Sequence, residues 1–412
     1  MKIPIWRLKK TNGITLGFFF AVVALENFSW LIPSTQYLIP GLLKFSDIGV
    51  ISAILWIAYV LIGINSPKKY MYSKLPILFW GLIIVSSIAA NHFFEQSYGL
   101  SFRQNRYIFV CMLLYYAIMK AMYSGKILRS DVLSILSFQA VVEIVLFLTQ
   151  ILLADYVTFI YAEMETRYGT ARLRVSYLLA LIFMFFCIDK ILNNKNKVWN
   201  SIMALGGASV LVVVCKHRAP TMILLVTLVI AFFVWKKKTS TKIVVGIFVV
   251  IVGVCIVTNS TIVQDAISGI VSGDRNLDYR TTGRVYFLER LKLSPIVGFG
   301  EPNENCYAAQ SASGYFDAHL LADNGIFGFL YCHGILGIVW VIALWIKLYK
   351  QSIYLYRKKK MYVYLLYVIF ETGNLYMGMH WYFYYTLPFI ICITLMDYDY
   401  QLAKRENICE EK

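Results

Sequence analysis

"KHRAPTMILLVTLVIAFFVWKKKTSTK", residues 216 to 242, contains the pattern that decides the fold. The apolar run from Ala219 to Trp235 has the length of a helix that crosses the hydrocarbon core of a bilayer. Four lysines follow the run on one side, and Arg218 precedes it on the other. The stretch therefore predicts a membrane-spanning helix with a lysine-rich end and an arginine at the opposite end.

Similar apolar runs recur along the 412 residues, of which 59% are hydrophobic and only 15% charged. A soluble domain is far less apolar. The sequence therefore predicts a single all-α domain, residues 1–412, that is a polytopic integral membrane protein with about twelve transmembrane helices. The predicted spans lie near residues 14–32, 46–64, 75–91, 107–123, 132–153, 175–191, 201–215, 219–235, 243–259, 326–346, 361–377 and 381–397.

Basic connections between these runs predict the orientation. Lysine-rich loops stay in the cytoplasm, which places both termini there as well. The basic N-terminus, Met1 to Lys10, predicts an uncleaved first span. The net charge of +16 comes from residues between apolar runs, so it does not indicate nucleic acid as a partner. The cytoplasmic loops are "PKKYMYSK", "KAMYSGKILR", "DKILNNKNK", "KKKTSTK" and "KLYKQSIYLYRKKK".

One connection is much longer than the rest. Residues 260–324 form an external loop between the ninth and tenth predicted spans, and a helix is expected around Arg280 to Leu293. Loops of this length in a compact domain are usually functional. The loop ends in "GYFDAHLLADNGIFGF", residues 314 to 329, where polar side chains precede a glycine-punctuated apolar run.

Arginines concentrate on the predicted external side. Under this topology the outside carries ten Arg and three Lys, whereas the inside carries four Arg and 22 Lys. The guanidinium fork pairs with phosphate or carboxylate through two hydrogen bonds, so the bias predicts a site for an anion. The alternative is that these arginines pair with external acids or lipid headgroups. Those acids include Glu163, Glu165, Asp274, Asp278 and Glu289.

Other ionisable residues have simpler interpretations. Glu26, Glu143 and Glu371 fall within apolar spans, so they are expected to face the protein interior, either along a path or as hydrogen-bonded joints between helices. "DYD", residues 397 to 399, is interpreted as a solvated helix end. The sequence shows no GxxxxGK[ST], HExxH or GxSxG motif, which disfavours an ATP-driven pump or a membrane protease.

Three external segments resemble the O-antigen ligase and polymerase family of bacterial cell-envelope proteins. They are "KHRAPTMILLVTLVIAFF" at 216 to 233, "GRVYFLERLKLSPIVGFG" at 283 to 300 and "DAHLLADNGIFGFL" at 317 to 330. The resemblance covers the second half of the chain best, with a fainter echo in Arg172 and Arg174.

The resemblance implies a multi-pass protein of the bacterial cytoplasmic (inner) membrane. Such a protein is a metal-independent glycosyltransferase without a cofactor, and it polymerises oligosaccharide repeats on polyprenyl pyrophosphate into O-antigen, capsule or exopolysaccharide. Its expected partners are the lipid-linked sugars, membrane lipids and a chain-length regulator protein. An O-antigen ligase differs in its acceptor, a flippase or other transporter would favour internal repeats and short loops, and a non-catalytic scaffold would need no external arginines.

The resemblance also implies site residues. His319 suits the base for the acceptor hydroxyl because its unperturbed pKa lies near neutrality. Asp317 would orient His319 or cap the next helix. Fixed guanidinium forks would stabilise the charge that grows on the leaving pyrophosphate. These predicted ligands are Arg172, Arg174, Arg218, Arg280, Arg284 and Arg290.

Overall fold

The computed structural model describes residues 12–27, 30–31, 37–39, 43–65, 72–167, 170–235, 275–314, 321–376 and 386–410. The protein is mostly helical. The first eight helices are α1 Gly13–Asn27, α2 Phe45–Gly63, α3 Leu75–Phe94, α4 Tyr98–Tyr123, α5 Arg129–Leu152, α6 Leu178–Leu192, α7 Lys197–Ser209 with a π-helical turn Val210–Val214, and α8 Arg218–Val234. The remaining helices are α9 Arg275–Leu291, α10 Tyr307–Ala312, α11 Ile326–Lys359, α12 Tyr362–Asn374 and α13 Thr386–Glu410, with a 3-10 turn Leu321–Asn324 before α11.

Several helices are apolar enough to cross a membrane. Among the described residues these are α3, α4, α5, α11 and the continuous α7 and π turn, and α1, α2 and α8 are shorter apolar helices. Every predicted span that the structure describes, in whole or in part, contains a helix, whereas residues 243–259 lie outside the described residues. The predominantly helical architecture is thus confirmed, and its apolar helices are compatible with a multi-pass membrane protein. The number of spans and their orientation stay predictions.

Two short antiparallel hairpins interrupt the predicted all-α pattern. Strands β1 (Tyr37–Ile39) and β2 (Leu43–Lys44) form one hairpin, and β3 (Met164–Arg167) and β4 (Thr170–Leu173) form the other. The second hairpin packs against α5 and the π turn. Both lie in connections between apolar runs, where strands of two to four residues leave no lasting alternation in the sequence.

Helix α12 is central to the bundle because it packs against α6, α8 and α11. Its side chains are nearly all buried, including Tyr364 and Tyr367. Another contact fixes α3 to α11, where the rings of Phe79 and Trp340 stack with centroids 4.3 Å apart. Six described cysteines are buried and free; they are Cys111, Cys187, Cys215, Cys306, Cys332 and Cys392.

The interpretation of Asp397 and Asp399 as a solvated helix end is wrong. Helix α13 continues past the apolar run to Glu410, and both aspartates are buried within the bundle. The Tyr115 hydroxyl donates to Asp397 over 2.6 Å, while Asp399 lies 2.5 Å from Nε of Arg129. These partners compensate the charge of the two carboxylates, which lie at the end of the bundle that is predicted to be cytoplasmic. Further donors are Lys347 and Gln351 to Asp397, and Tyr364 to Asp399.

The glutamates in apolar spans face the interior, as expected. Glu26, Glu143 and Glu371 are each at least 95% buried. Gln139 on α5 donates to Oε1 of Glu143 over 3.1 Å and exchanges two hydrogen bonds with Asn27 on α1. The first two glutamates therefore lie at a polar joint between α1 and α5.

Candidate functional site

Helix α9 lies in the predicted long loop and confirms the helix expected around Arg280 to Leu293. Its inner face packs on α11 and on the 3-10 turn. A Cβ at Gly283 would lie 3.0 Å from Nδ2 of Asn324, so this position leaves little room for a larger residue. Phe287 packs on Tyr331 with ring centroids 5.2 Å apart. These contacts hold α9 at one end of the bundle.

A segment that we call the strap, residues 294–300, docks against a break in α11. The helix leaves helical geometry at Gly334, where φ is 62° and ψ is −162°. Backbone hydrogen bonds to the strap satisfy groups that the break frees. These are Phe299 N to Tyr331 O (2.9 Å), Gly300 N to Cys332 O (2.8 Å), Ile335 N to Pro295 O (2.9 Å) and Leu336 N to Ile296 O (3.1 Å).

Glycine is required on both sides of this junction. Gly334 and Gly298 have φ of 62° and 68°, which other residues rarely adopt. A Cβ at Gly334 would lie 2.3 Å from Ile296 O, and one at Gly298 would lie 2.5 Å from Tyr331 O. These two glycines thus bring the backbones of the strap and of α11 into direct contact.

Glu301 follows the strap, and its side chain is only 14% exposed. Its Oε1 lies 3.9 Å from Nε2 of His333, whose Nδ1 is 3.2 Å from Oγ of Ser86. Burial raises the pKa of Glu301 to about 7. His333 is therefore a packing and hydrogen-bonding residue within α11. Sequence reasoning missed Glu301, since one acid after a glycine turn does not reveal its burial.

Arg284 has the most unusual environment of the predicted arginines. Its guanidinium carbon lies 4.0 Å from the ring centroid of Tyr376 and 5.5 Å from that of Phe327. Nη1 donates to the Tyr376 hydroxyl. Nε and Nη2 are buried and have no hydrogen-bond partner among the described residues. One edge of the guanidinium fork is therefore left without an acceptor in the described part of the chain.

The other predicted ligands on α9 have different surroundings. Nη2 of Arg280 lies 3.9 Å from Oδ1 of Asp323. Arg290 is exposed, with its guanidinium carbon 5.5 Å from the ring centroid of Tyr286. Arg280 and Arg284 are one helical turn apart, so they share a face of α9.

Arg172 lies on β4 and Arg174 directly follows that strand. Both pair with Glu165 of β3, and Arg174 also pairs with Glu163, which directly precedes β3. Nε of Arg172 is 3.3 Å from Oε2 of Glu165. The two terminal nitrogens of Arg174 are 2.9 Å from Glu163 and 2.6 Å from Glu165. Both arginines are therefore ion-paired with these two acids, which agrees with the alternative interpretation of the external arginines. A role in pyrophosphate binding stays a prediction for both arginines.

Lys216 connects this hairpin to the start of α8. Its Nζ donates to Ala171 O over 2.6 Å. Burial and, to a lesser degree, the nearby Arg172 guanidinium lower the pKa of Lys216. The next residues, His217 and Arg218, begin α8, so the hairpin and Arg218 lie at the same end of the bundle.

Contacts between the ends of α8, α12 and α11 connect the hairpin and Arg218 with Arg284. A Cβ at Gly373 of α12 would lie 2.6 Å from Cγ2 of Ile223 on α8. The amide of Ile326, the first residue of α11, donates to Leu375 O over 2.8 Å. At Gly325 a Cβ would lie 2.5 Å from that same carbonyl, so glycine permits the close packing here. The arginines of the hairpin and α8 thus lie at the same end of the bundle as those of α9.

His319 and Asp317 lie outside the described residues, as do all of residues 315–320. The next described residue is Leu321, which is buried in a cluster with Phe287 and Tyr331. His380, in residues 377–385, also lies outside the described residues. The role of His319 as a base and of Asp317 as its partner therefore stays a prediction.

Within the described ranges, no group of three or more His, Cys, Asp or Glu side chains is arranged to hold a metal ion. The expectation of metal-independent chemistry stays a prediction.

No family model and no characterised protein matches this chain. The geometry of the site therefore carries the functional argument.

Proposed function

We propose that the chain is a membrane glycosyltransferase that polymerises oligosaccharide repeats linked to polyprenyl pyrophosphate, at the external face of a bacterial cytoplasmic membrane. Its apolar helices support a place in a membrane, and the motifs quoted above support the family. The product would be a surface polysaccharide such as O-antigen, capsule or exopolysaccharide.

The observation that carries the proposal is the open edge of Arg284. A buried guanidinium N–H without an acceptor is costly, and two such atoms occur here among the described residues. A phosphate group offers two oxygens at the spacing of that edge. The rings of Tyr376 and Phe327 lower the local polarity, which strengthens the interaction with an anion. A pyrophosphate would therefore complete the geometry of this side chain.

The reaction follows from this placement. The bond between the anomeric carbon of the donor and the pyrophosphate oxygen breaks, and the acceptor hydroxyl forms the new bond to that carbon. The hydroxyl proton passes to a base, for which His319 remains our choice. Polyprenyl pyrophosphate leaves with added charge on its oxygens, and Arg284 would stabilise that charge.

We place a polymerase ahead of an O-antigen ligase because the external loops show no feature that selects a lipid core as acceptor. In a polymerase both substrates are lipid-linked repeats. A chain-length regulator protein would then be a partner in the membrane.

The test is polymer formation by the purified protein in liposomes that contain lipid-linked repeats, with glycan length resolved on gels. Wild type should form a ladder. Arg284→Lys should slow it by roughly a hundred-fold, because Lys keeps the charge and loses the fork. His319→Ala should slow it by a similar factor.

Arg103→Lys is the matched control, since Arg103 is an exposed arginine near the predicted external end of α4. It should leave the ladder unchanged. Absence of elongation by folded wild type, or an unchanged ladder with Arg284→Lys, would contradict the proposal.

A transporter of the same lipid-linked sugars is the second candidate. The observation in its favour is the broken helix α11, with Glu301 and His333 buried beside the break, because discontinuous helices with polar groups form binding sites in transporters. Movement of labelled lipid-linked sugar across the liposome membrane without elongation would favour this candidate.

A further inference from the structure

Helix α12 carries a buried polar stripe that consists of Tyr367, Glu371 and Asn374. Their spacing of four and three residues places them on one face of the helix. They are only 1%, 3% and 2% exposed, respectively. Burial of amide and carboxyl groups within an apolar helix is costly, and in membrane proteins such groups usually face a functional interior.

The stripe ends beside Arg284. Its last member, Asn374, precedes Tyr376 by two residues, and Tyr376 contacts Arg284. The C-terminal end of the stripe is therefore close to the proposed pyrophosphate site.

Asn374 supplies a second, independent indication of a ligand. Its Nδ2 is buried and has no hydrogen-bond partner among the described residues. An amide group in this state gains free energy when a bound molecule offers an oxygen. Asn374 therefore resembles Arg284 in having donor capacity that the described part of the chain does not use.

The chemistry of the stripe differs from that of Arg284. A guanidinium attracts an anion, whereas the carboxyl group of Glu371 repels a phosphate when ionised and accepts hydrogen bonds from hydroxyl groups. Asn374 can donate to and accept from hydroxyl groups. A neutral molecule with several hydroxyl groups fits the stripe, and the pyrophosphate fits Arg284.

We propose that the stripe binds the acceptor sugar, with Asn374 donating to a sugar oxygen and Glu371 accepting a hydrogen bond from a sugar hydroxyl. This inference rests on the proposed glycosyl transfer and assigns its acceptor side. Glu371 and Asn374 are binding residues in this scheme, and Arg284 binds the donor.

Binding of two probes to the full-length protein in lipid nanodiscs tests whether the stripe holds the acceptor and Arg284 holds the donor. One is the lipid-free repeat oligosaccharide, released by mild acid from the lipid-linked sugars of the producing cells. The other is farnesyl pyrophosphate. Glu371→Gln and Asn374→Ala should each weaken oligosaccharide binding about ten-fold and leave farnesyl pyrophosphate binding within about two-fold. Arg284→Lys should show the reverse pattern.

Glu304→Gln and Asn305→Ala are the controls, because both residues are exposed in the loop before α10. Neither should change the affinity for either probe. Thermal unfolding identifies the variants that fold, and if Glu371→Gln does not fold, Asn374→Ala decides. Normal oligosaccharide affinity in a folded stripe variant overturns the inference. Wild type that binds the oligosaccharide but not farnesyl pyrophosphate supports the stripe and contradicts the proposed function.

Discussion

Arg129 and Arg284 contact opposite ends of α12 and show what separates a structural cation from a binding one. Arg129 meets Tyr364 near the start of the helix and lies 2.5 Å from the buried carboxylate of Asp399. Arg284 meets Tyr376 just past the end of the helix, and no carboxylate pairs with it among the described residues. The first guanidinium has its counter-ion within the fold, whereas the second has an unused edge. The partner of a guanidinium, more than its burial, therefore indicates its role.

The largest expected effect comes from removing the structural cation. Arg129→Met leaves Asp399 buried without its counter-ion, so the free energy of unfolding should fall by about 3–5 kcal/mol. Thermal unfolding of purified protein in detergent measures this change. Lys359→Met is the control, because Lys359 pairs with the exposed Glu406 and should lose almost nothing. Equal midpoints for the two variants would contradict the structural role of Arg129.

A smaller effect should depend on pH through Glu301. Its pKa is raised from 4.5 in the unfolded chain to about 7 in the folded protein. The folded state therefore holds the proton more tightly, and stability should fall as pH rises from about 4.5 through 7, by about 3 kcal/mol in all. Glu301→Gln should remove this slope.

Glu304→Gln provides the comparison for that slope, since Glu304 is exposed in the same loop. It should retain the decline in the unfolding midpoint between pH 4.5 and 7. The same slope in Glu301→Gln and wild type would show that another group causes it.

The binding cation should respond in the opposite direction to the structural one. Arg284→Met removes two buried donors that lack partners among the described residues, so the ligand-free protein should gain about 1 kcal/mol of stability. Thermal unfolding without added substrate measures this gain. A loss as large as that of Arg129→Met would mean that Arg284 is also satisfied within the fold.

The smallest effect is expected at the hairpin. Arg174 is 52% exposed, and its pairs with Glu163 and Glu165 are screened by solvent. Arg174→Gln should therefore change the free energy of unfolding by less than about 1 kcal/mol. A larger loss of unfolding free energy at low salt, measured by the same assay, would indicate that Arg174 is a structural cation like Arg129.

The helices were largely predictable because an apolar run long enough to span a bilayer has few alternatives. Helix α9 was also predicted, since it follows a change from polar to amphipathic sequence. The β3–β4 hairpin was missed because Glu165 and Arg172 are charged residues in very short strands. Asp397 and Asp399 were misread because burial beyond an apolar run depends on which helices supply Lys347 and Arg129.

The site was predictable only as a set of residue types. The external arginine bias included Arg284, but nothing local separates it from Arg172. Strand pairing places Arg172 opposite Glu165, while Arg284 contacts Tyr376, a residue far away in the chain. Glu301 and Asn374 were not selected, because their importance depends on contacts between distant segments. Such contacts leave no periodic signal in a single sequence.

The break in α11 has a consequence for biogenesis. During synthesis the strap leaves the ribosome before α11, yet the carbonyls of Tyr331 and Cys332 and the amides of Ile335 and Leu336 find these partners only on the strap. Backbone groups cannot remain unpaired in hydrocarbon. Release of α11 from the insertion machinery into lipid is therefore coupled to docking of the strap, so this part of the predicted external loop takes part in the assembly of the helix that follows it.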